Sequence, residues 1–456
     1  MQTRRDHIQA YRFSAGRLVH AATAGDPGIG EQPFRRGNLG LVMGLMAAVL
    51  LSGGAAVYGL ISPAPDKSWK AQGSIIVEKE TGTRYILMNG QLRPTANYAS
   101  ARLAAGAKPT VHIEPRSTLA ALPVGPSIGI AGAPDSLPDP SALLDGTWSL
   151  CLGATGSGGS TVLDLAPAQH AAAVPAGRPI VVTASSSEYV LWNSRKYPVP
   201  NASVLAVLGL GNQAPLPVPT TWLGVIGDGD ALSPAQIPSA GAPGPRIAGQ
   251  KTKVGEVFQT TAGGVAQFYV LRGDGLAPIT RTEAALLATV PGNGQPLAVG
   301  PSDIAGTPAS ADQSLLRRLP DMLATTSYAP PAGARLCAYQ AAATSSAGTG
   351  TATGVGPVLV TEAGQFFPDK TPVLIPPGKA LIADSTSTSP LTRAPAAYLI
   401  TDAGMRFAVD GTDTLNALGY PGVAGHVFPD AVLGSMPAGP TLSVSAAQKA
   451  VSWPAG

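Results

Sequence analysis

Hydrophobic and polar positions change rhythm twice along this chain. Residues 1–38 are polar and arginine-bearing, with Ile8, Tyr11, Ala15, Leu18 and Ala22 recurring every three to four positions. That period sets them on one face of a helix. Asp6 is suited to cap it near His7, and Gly25-Asp26-Pro27 to end it. A helix this short is marginal alone, so it is expected to dock on the membrane surface or on a partner protein. Leu39–Ile61 is then a run of 23 residues without a charge. At the rise of a helix it reaches about 34 Å, enough to cross a hydrocarbon core of roughly 30 Å. A cleaved signal fits poorly, because the preceding 38 residues and the apolar run are both too long for one. From residue 62 onward, short apolar runs alternate with turn residues, the mark of short strands.

Four of these runs resemble one another. Residues 74–94 read as strand, turn at Thr81-Gly82, strand through Tyr85, turn at Asn89-Gly90, then Pro94. An Asn-Gly pair between apolar runs is a strong hairpin signal. Tyr189 with Pro198 and Tyr269 with Pro278 repeat the nine-residue interval of Tyr85 and Pro94. A fourth copy is expected at Ala397–Val409, where Gly404-Met405-Arg406-Phe407 echoes Gly82-Thr83-Arg84-Tyr85 but lacks the proline. Short helices are expected after each hairpin, at Tyr98–Ala105, Ala202–Leu208, Glu283–Thr289 and Asp413–Leu418. The order hairpin then helix, met four times, favours true repeats over chance among common Gly, Pro and Val residues. Tyr85, Tyr189, Tyr269 and Phe407 are the expected repeat-core aromatics. The intervals between them are too uneven for a stacked solenoid.

Composition narrows the class. Gly 55 and Pro 44 make up more than a fifth of 456 residues, while charged residues are 12% and apolar ones 45%. Folded domains with many turns follow, with flexible stretches at 341–356 and Pro238–Pro245. The net charge of +3 is carried by residues 1–38, which hold six arginines and three acids. The remainder is neutral and shows no basic cluster, so no nucleic-acid partner is expected. The arginine bias of residues 1–38 favours a cytoplasmic amino terminus, with a large extracytoplasmic part beyond a single span of the plasma membrane. Arg35 and Arg36 adjoin the span, which contacts membrane lipid. Gly40 and Gly44 form a GxxxG pair that permits close helix packing.

Candidate chemistry is sparse. Cys151 and Cys337, each in a strand-like run, are expected to form a disulfide outside the cell. No histidine lies close to either in sequence, so a metal site fits poorly. Gly125-Pro126-Ser127-Ile128-Gly129 matches a nucleophile elbow in letters, but prolines and glycines surround it where a strand and helix are needed. Pro377-Gly378-Lys379-Ala380 has alanine where a P-loop needs a hydroxyl. Asp228-Gly229-Asp230 reads as a turn, and Trp148, Trp192 and Trp222 as core residues more than a sugar groove. His7, His20, His112, His170 and His426 form no metal motif in sequence. No catalytic, metal or cofactor residue is assigned, and no cofactor is implied.

The expected fold is α+β: one amino-terminal transmembrane helix, then four small α/β repeat modules around a central β-rich domain. The divisions are an arm (1–38), the span (39–61), module 1 (62–138), the first part of the central domain (139–178), module 2 (179–247), module 3 (248–310), the second central part with a loop (311–375) and module 4 (376–456).

The chain resembles EccB, a core membrane component of the actinobacterial type VII (ESX) secretion systems. The resemblance rests on Tyr11-Arg12-Phe13, Arg17, His20-Ala21 and Pro33-Phe34-Arg35 before the span, and on Gly82 and Tyr85 after it. It continues through Leu92-x-Pro94-x-x-Asn97-x-Ala99-Ser100-Ala101-Arg102-Leu103, Gly129–Pro134, and Trp148–Cys151 with the distant Cys337. It implies four repeats flanking a disulfide-bearing centre in an elongated, bent ectodomain. It also implies a structural role in a large inner-membrane complex, self-association to a dimer or higher, and EccC, EccD, EccE and a mycosin-type protease as partners. ATPase activity is sometimes ascribed to the family, yet no Walker A motif is present here. The competing reading is a membrane-anchored extracytoplasmic hydrolase acting on nucleotide or cell wall.

Overall fold

The computed structural model describes residues 4–25, 35–61, 67–106, 109–153, 160–167, 171–323, 325–342, 356–363, 373–385 and 397–451. They fall into two compact units, Met1–Ser68 and Trp69–Gly456.

The first unit holds two helices. Arg4–Ala24 begins earlier than the apolar period suggests. Asp6 therefore lies inside the first turn, where its carboxylate faces the positive end of the helix dipole, and is not the cap. Gly25, at φ +68°, ends the helix with its N–H donated to the Ala21 carbonyl. Ile8, Tyr11 and Leu18 are exposed. The second helix, Arg35–Ile61, contains the apolar stretch Gly37–Gly59 with mean hydropathy 2.0. It is the one helix of membrane length among the described residues.

In the second unit one strand order recurs in four sheets. In the first, Ile75–Glu78 pairs antiparallel with Arg84–Met88, which pairs with Gln91–Pro94. The helix Tyr98–Ala105 follows, and Val111–Glu114 returns parallel to the first strand. The second sheet repeats this with Ile180–Ala184, Ser187–Trp192, Arg195–Val199, helix Ala202–Val207 and Leu216–Pro217. The third uses Val257–Ala262, Val265–Arg272, Gly275–Ile279, helix Arg281–Leu287 and Leu297–Ala298. The fourth uses Ala380–Ser385, Ala397–Thr401, Arg406–Val409, helix Thr412–Leu418 and His426–Phe428. Each ends with a parallel contact onto its third strand, at Leu92 and Val124, Arg195 and Gly227, Leu276 and Ala309, and Arg406 and Ala438. Asn97, Asn201 and Thr280 cap the first three crossing helices by accepting a backbone N–H.

The nine-residue interval has a geometric cause. Tyr85 lies directly across from Pro94, Tyr189 from Pro198, and Tyr269 from Pro278. The first two pairs flank two-residue turns, Asn89-Gly90 and Asn193-Ser194, whose residues all have positive φ, as hairpin turns of this length require. In the fourth sheet the register corrects the sequence reading. Tyr398 occupies the position of the three tyrosines, opposite Ala408, while Phe407 belongs to the following strand. Gly404 thus matches the second turn and not Gly82. The turn is one residue longer, with Gly404 at φ +70°, so the interval becomes ten. Phe407 is nevertheless buried in a core.

A six-stranded sheet stands among these four, built from Trp148–Leu152, Thr161–Asp164, Ala172–Ala173, Ala334–Gln340, Val358–Ala363 and Val373–Leu374. One core joins it to the second and fourth sheets through Trp148, Leu150, Leu336, Trp222 and Phe428. A second core joins the first and fourth sheets, packing Ala99 and Leu103 against Leu415, Leu418 and Leu442. A third joins the helices of the second and third sheets through Val204, Leu205, Leu208 and Leu286.

Two segments depart from the expected divisions. Pro243–Ile247 is no linker: it pairs with Gln250–Lys253, so the division at 247/248 falls within one hairpin. Gly244 permits the approach, since a Cβ there would stand 2.5 Å from Leu271 Cδ2. Leu319 and Met322 join the core of the second and third sheets, and Leu315 that of the third, ahead of the central strand Ala334–Gln340. Most of the loop expected at 341–356, together with His170, lies outside the described residues.

Candidate functional site

Cys151 and Cys337 face each other across neighbouring antiparallel strands of the central sheet, with Cα atoms 4.0 Å apart. Their disulfide links residues 186 apart in sequence. Both are fully buried among Val162 and Val360. Glu362, only 5% exposed, brings Oε2 to 3.5 Å from the Cys151 sulfur. Asp164, on the strand beside Cys151, is also buried. Burial pushes the Asp164 and Glu362 carboxyls above their ordinary values, because a buried charge loses its hydration. The sulfurs and Glu362 are close enough to suggest a metal site, all within 4.8 Å. Bonded to each other, however, the sulfurs carry no thiolate to offer a metal.

Several charged groups hold neighbouring segments together. Glu283, fully buried on the third sheet's helix, accepts two hydrogen bonds from Arg318, at 2.6 and 2.8 Å. Arg318 also donates to the Ser233 carbonyl. Burial raises the Glu283 carboxyl, against the pull of the Arg318 guanidinium. Lys196 donates to the carbonyls of Leu223 and Ile226 and meets Asp228 at 3.1 Å. The acidic turn Asp228-Gly229-Asp230 is thereby held to the second sheet. Between the first and fourth sheets, Arg102 donates to the Ala417 carbonyl and Tyr420 to the Pro138 carbonyl. Burial pushes the Tyr420 phenol up to about 12.

The segment Gly129–Pro134 closes the same joint. Asn97 donates from Nδ2 to the Ile130 carbonyl at 2.7 Å, and Ile130 N–H donates to Ser100 Oγ at 2.9 Å. Gly129, at φ +131°, leaves no room for a side chain: its Cβ would lie 2.8 Å from Ser100. Its N–H donates to the Lys449 carbonyl, and Val451 N–H to that of Ser127. Ser127 is thus part of a strand-like bridge to the carboxyl-terminal segment, with no helix after it. This return of the chain end leaves no periodic signal in the sequence.

The other sequence candidates disperse. Gly378 and Lys379 form a turn leading into the strand Ala380–Ser385, and the Gly378 N–H is taken by Asp402, so no helix start is offered to a phosphate. Trp148 and Trp222 are fully buried and Trp192 nearly so; the Trp222 indole donates to the Leu150 carbonyl. His112 and His426 occupy matching register positions in the first and fourth sheets. Gly40 and Gly44 lie on the membrane-length helix with nothing within 4 Å of a Cβ at either. An open groove of about 800 Å³ runs along the third sheet, over Val265, Phe268, Ile279 and Leu316. Its charged residues, Arg281 and Asp321, bind each other at 3.0 Å. Among the described residues, Glu283, Arg318, Arg102 and Lys196 are each engaged by partners within the fold.

An ESX-3 secretion system ATPase EccB3 of Mycolicibacterium smegmatis is 25% identical over 96% of this chain and 89% of its own length. An ESX-5 secretion system ATPase EccB5 of Mycobacterium tuberculosis is 29% identical over 67% of this chain, and the match spans 63% of that relative. Among solved structures, a chain of an intact ESX-5 inner membrane complex matches 99% of this chain and 96% of its own length, with TM-score 0.65 at 24% identity. The chain of an EccB3 dimer from the ESX-3 core complex matches 82% of this chain and 100% of its own, with TM-score 0.66 and 24% identity. The family model for the type VII secretion system ESX-1 transport TM domain B matches residues 1–452, and the chain belongs to that family, EccB.

Proposed function

We infer that this protein is a structural subunit of an ESX-type secretion complex in the plasma membrane. The observation that carries this is the extent of the likeness. It takes in the membrane-length helix and the β-rich unit together, over 99% of the chain, in a protein solved within an ESX inner-membrane complex. The use of charge agrees with it: Glu283 with Arg318, and Arg102, fasten neighbouring parts of the unit to one another.

The four sheets of common strand order are read here as four copies of one module around the clamped central sheet. The arginine-bearing amino terminus is assigned to the cytoplasm and the unit Trp69–Gly456 to the outside, where the Cys151–Cys337 bond persists. The chain assembles with a second copy of itself and with EccC, EccD, EccE and a mycosin-type protease. It has no ATP hydrolysis of its own, although its relatives carry that name: the sequence holds no Walker A motif, and the Gly378 N–H is taken by Asp402. Purified full-length protein with Mg²⁺ and ATP is expected to release phosphate at the rate of buffer alone. A rate that saturates with ATP and survives repurification contradicts the non-enzymatic reading. Deleting the gene is expected to abolish export by the cognate ESX system, with rescue by the full chain; normal export in the deletion strain contradicts the structural role.

A further inference from the structure

The last strand of each of the four similar sheets stands at a sheet edge. An exposed edge offers unpaired N–H and C=O groups to any other strand, and proteins usually blunt it. Two of the four are blunted. In the second and third sheets this strand has only two residues, Leu216–Pro217 and Leu297–Ala298. The residue before each is also a proline, Pro215 or Pro296. In the fourth, the strand has three residues, with Gly425 at the place of the first sheet's Val111 and Val427, 38% exposed, at that of Ile113, so it carries one exposed apolar side chain.

The first sheet differs. Its edge strand, Val111–Glu114, has four residues. At the places taken elsewhere by Pro215 and Pro217, or by Pro296 and Ala298, stand Val111 and Ile113, which are 51% and 67% exposed. The Ile75 and Lys79 N–H groups donate to the Thr110 and Glu114 carbonyls, at 2.8 and 3.0 Å. Backbone groups alternate in direction along a strand, so those of Val111 and Ile113 point away from the sheet. Outward hydrogen-bonding groups and two large apolar side chains on one face thus coincide at this one edge.

We propose that the Val111–Glu114 edge pairs antiparallel with the same edge of a second copy, centred on Ile113. This rests on the dimer reading above. A two-fold axis through the joined sheet keeps each side chain on its own face, so it passes through either residue 112 or residue 113. About His112, two imidazoles face each other. About Ile113, the two isoleucines meet, each His112 stands opposite the other copy's Glu114, and the two Val111 side chains extend the apolar patch. An imidazole beside a carboxylate oxygen, in place of two facing imidazoles, and the apolar pairing favour the second register.

The test uses the full chain in detergent, with cysteine variants treated with a short bis-maleimide and mass measured by analytical ultracentrifugation. In the proposed register the two residues 113 are about 5.5 Å apart, and the two residues 111 about 14 Å apart. Ile113→Cys is therefore expected to cross-link to a dimer and Val111→Cys is not. Ile113→Lys is expected to raise the dimer dissociation constant at least tenfold while the Cys151–Cys337 bond still forms, which verifies folding. A wild-type dimer that Ile113→Lys leaves intact and Ile113→Cys does not cross-link overturns this interface and spares the dimer reading. Cross-linking through Val111→Cys as well as Ile113→Cys, which the register about His112 gives with both pairs about 8 Å apart, overturns the register. A wild-type chain that stays monomeric at all concentrations overturns the dimer reading and this inference with it.

Discussion

Removing the Cys151–Cys337 bond perturbs the central sheet at a defined point. In the unfolded chain the bond closes a loop of 186 residues of sequence separation. The chain-entropy relation gives about 5 kcal/mol for a loop of that size. In the folded sheet the two strands are already adjacent, through the pairs Ala338 with Leu150 and Tyr339 with Ser149. Loss of the bond therefore acts mainly by freeing the unfolded state. The assay is denaturant unfolding of purified protein, with and without a phosphine reductant, followed by tryptophan emission, since Trp148 and Trp222 lie in the core against this sheet. The expected loss is about 3–5 kcal/mol, the upper end being the entropic figure. Cys151→Ala, Cys337→Ala and the double variant are expected to agree within about 1 kcal/mol, because either change alone removes the whole bond. Unfolding that reduction leaves unmoved, or single losses that add in the double variant, refutes the reasoning.

Three further outcomes follow from other parts of the unit. Arg318→Ala strands the fully buried Glu283 and is expected to cost about 3–5 kcal/mol, and adding Glu283→Gln to it is expected to recover part of that loss, both read by thermal melting. Gly129→Ala drives a Cβ into Ser100 at a positive φ and is expected to destabilise by about 1–3 kcal/mol, loosening the carboxyl-terminal segment first in hydrogen exchange at Val451; unchanged exchange there speaks against the joint. The Asp164 and Glu362 carboxyls are raised by burial, so the folded state binds their protons more tightly than the unfolded one. Their contribution to stability is fully present below the ordinary values near 3.8 and 4.5 and is lost as pH rises through the raised ones. Asp164→Asn with Glu362→Gln is expected to flatten that slope in melts across acidic pH.

What the sequence reveals is what lies close along it. The span is legible from an unbroken apolar run, and three hairpins from a nine-residue interval that is simply cross-strand register about a two-residue turn. The fourth was misaligned onto Phe407 because an inserted segment parts its first two strands and its second turn is a residue longer. The disulfide is legible from two cysteines in strand-like runs, yet the six-stranded sheet around it is not. Its strands come from residues 148–173 and 334–374, and no local period encodes their pairing. The same holds for Leu319 and Met322, which pack on sheets formed by earlier residues, and for Lys449, which returns to Gly129. Glu283 and Arg318, 35 residues apart, are visible as a buried pair only once their elements are folded together.

The central claim is membership of a large secretion assembly, and extraction of native membranes in mild detergent tests it most directly. The chain is tagged at its carboxyl end, and the intact particle is characterised by mass and composition. The account predicts a megadalton particle containing this chain with a membrane ATPase and a multi-span channel protein. A lone monomer or dimer, stable across detergents, contradicts it.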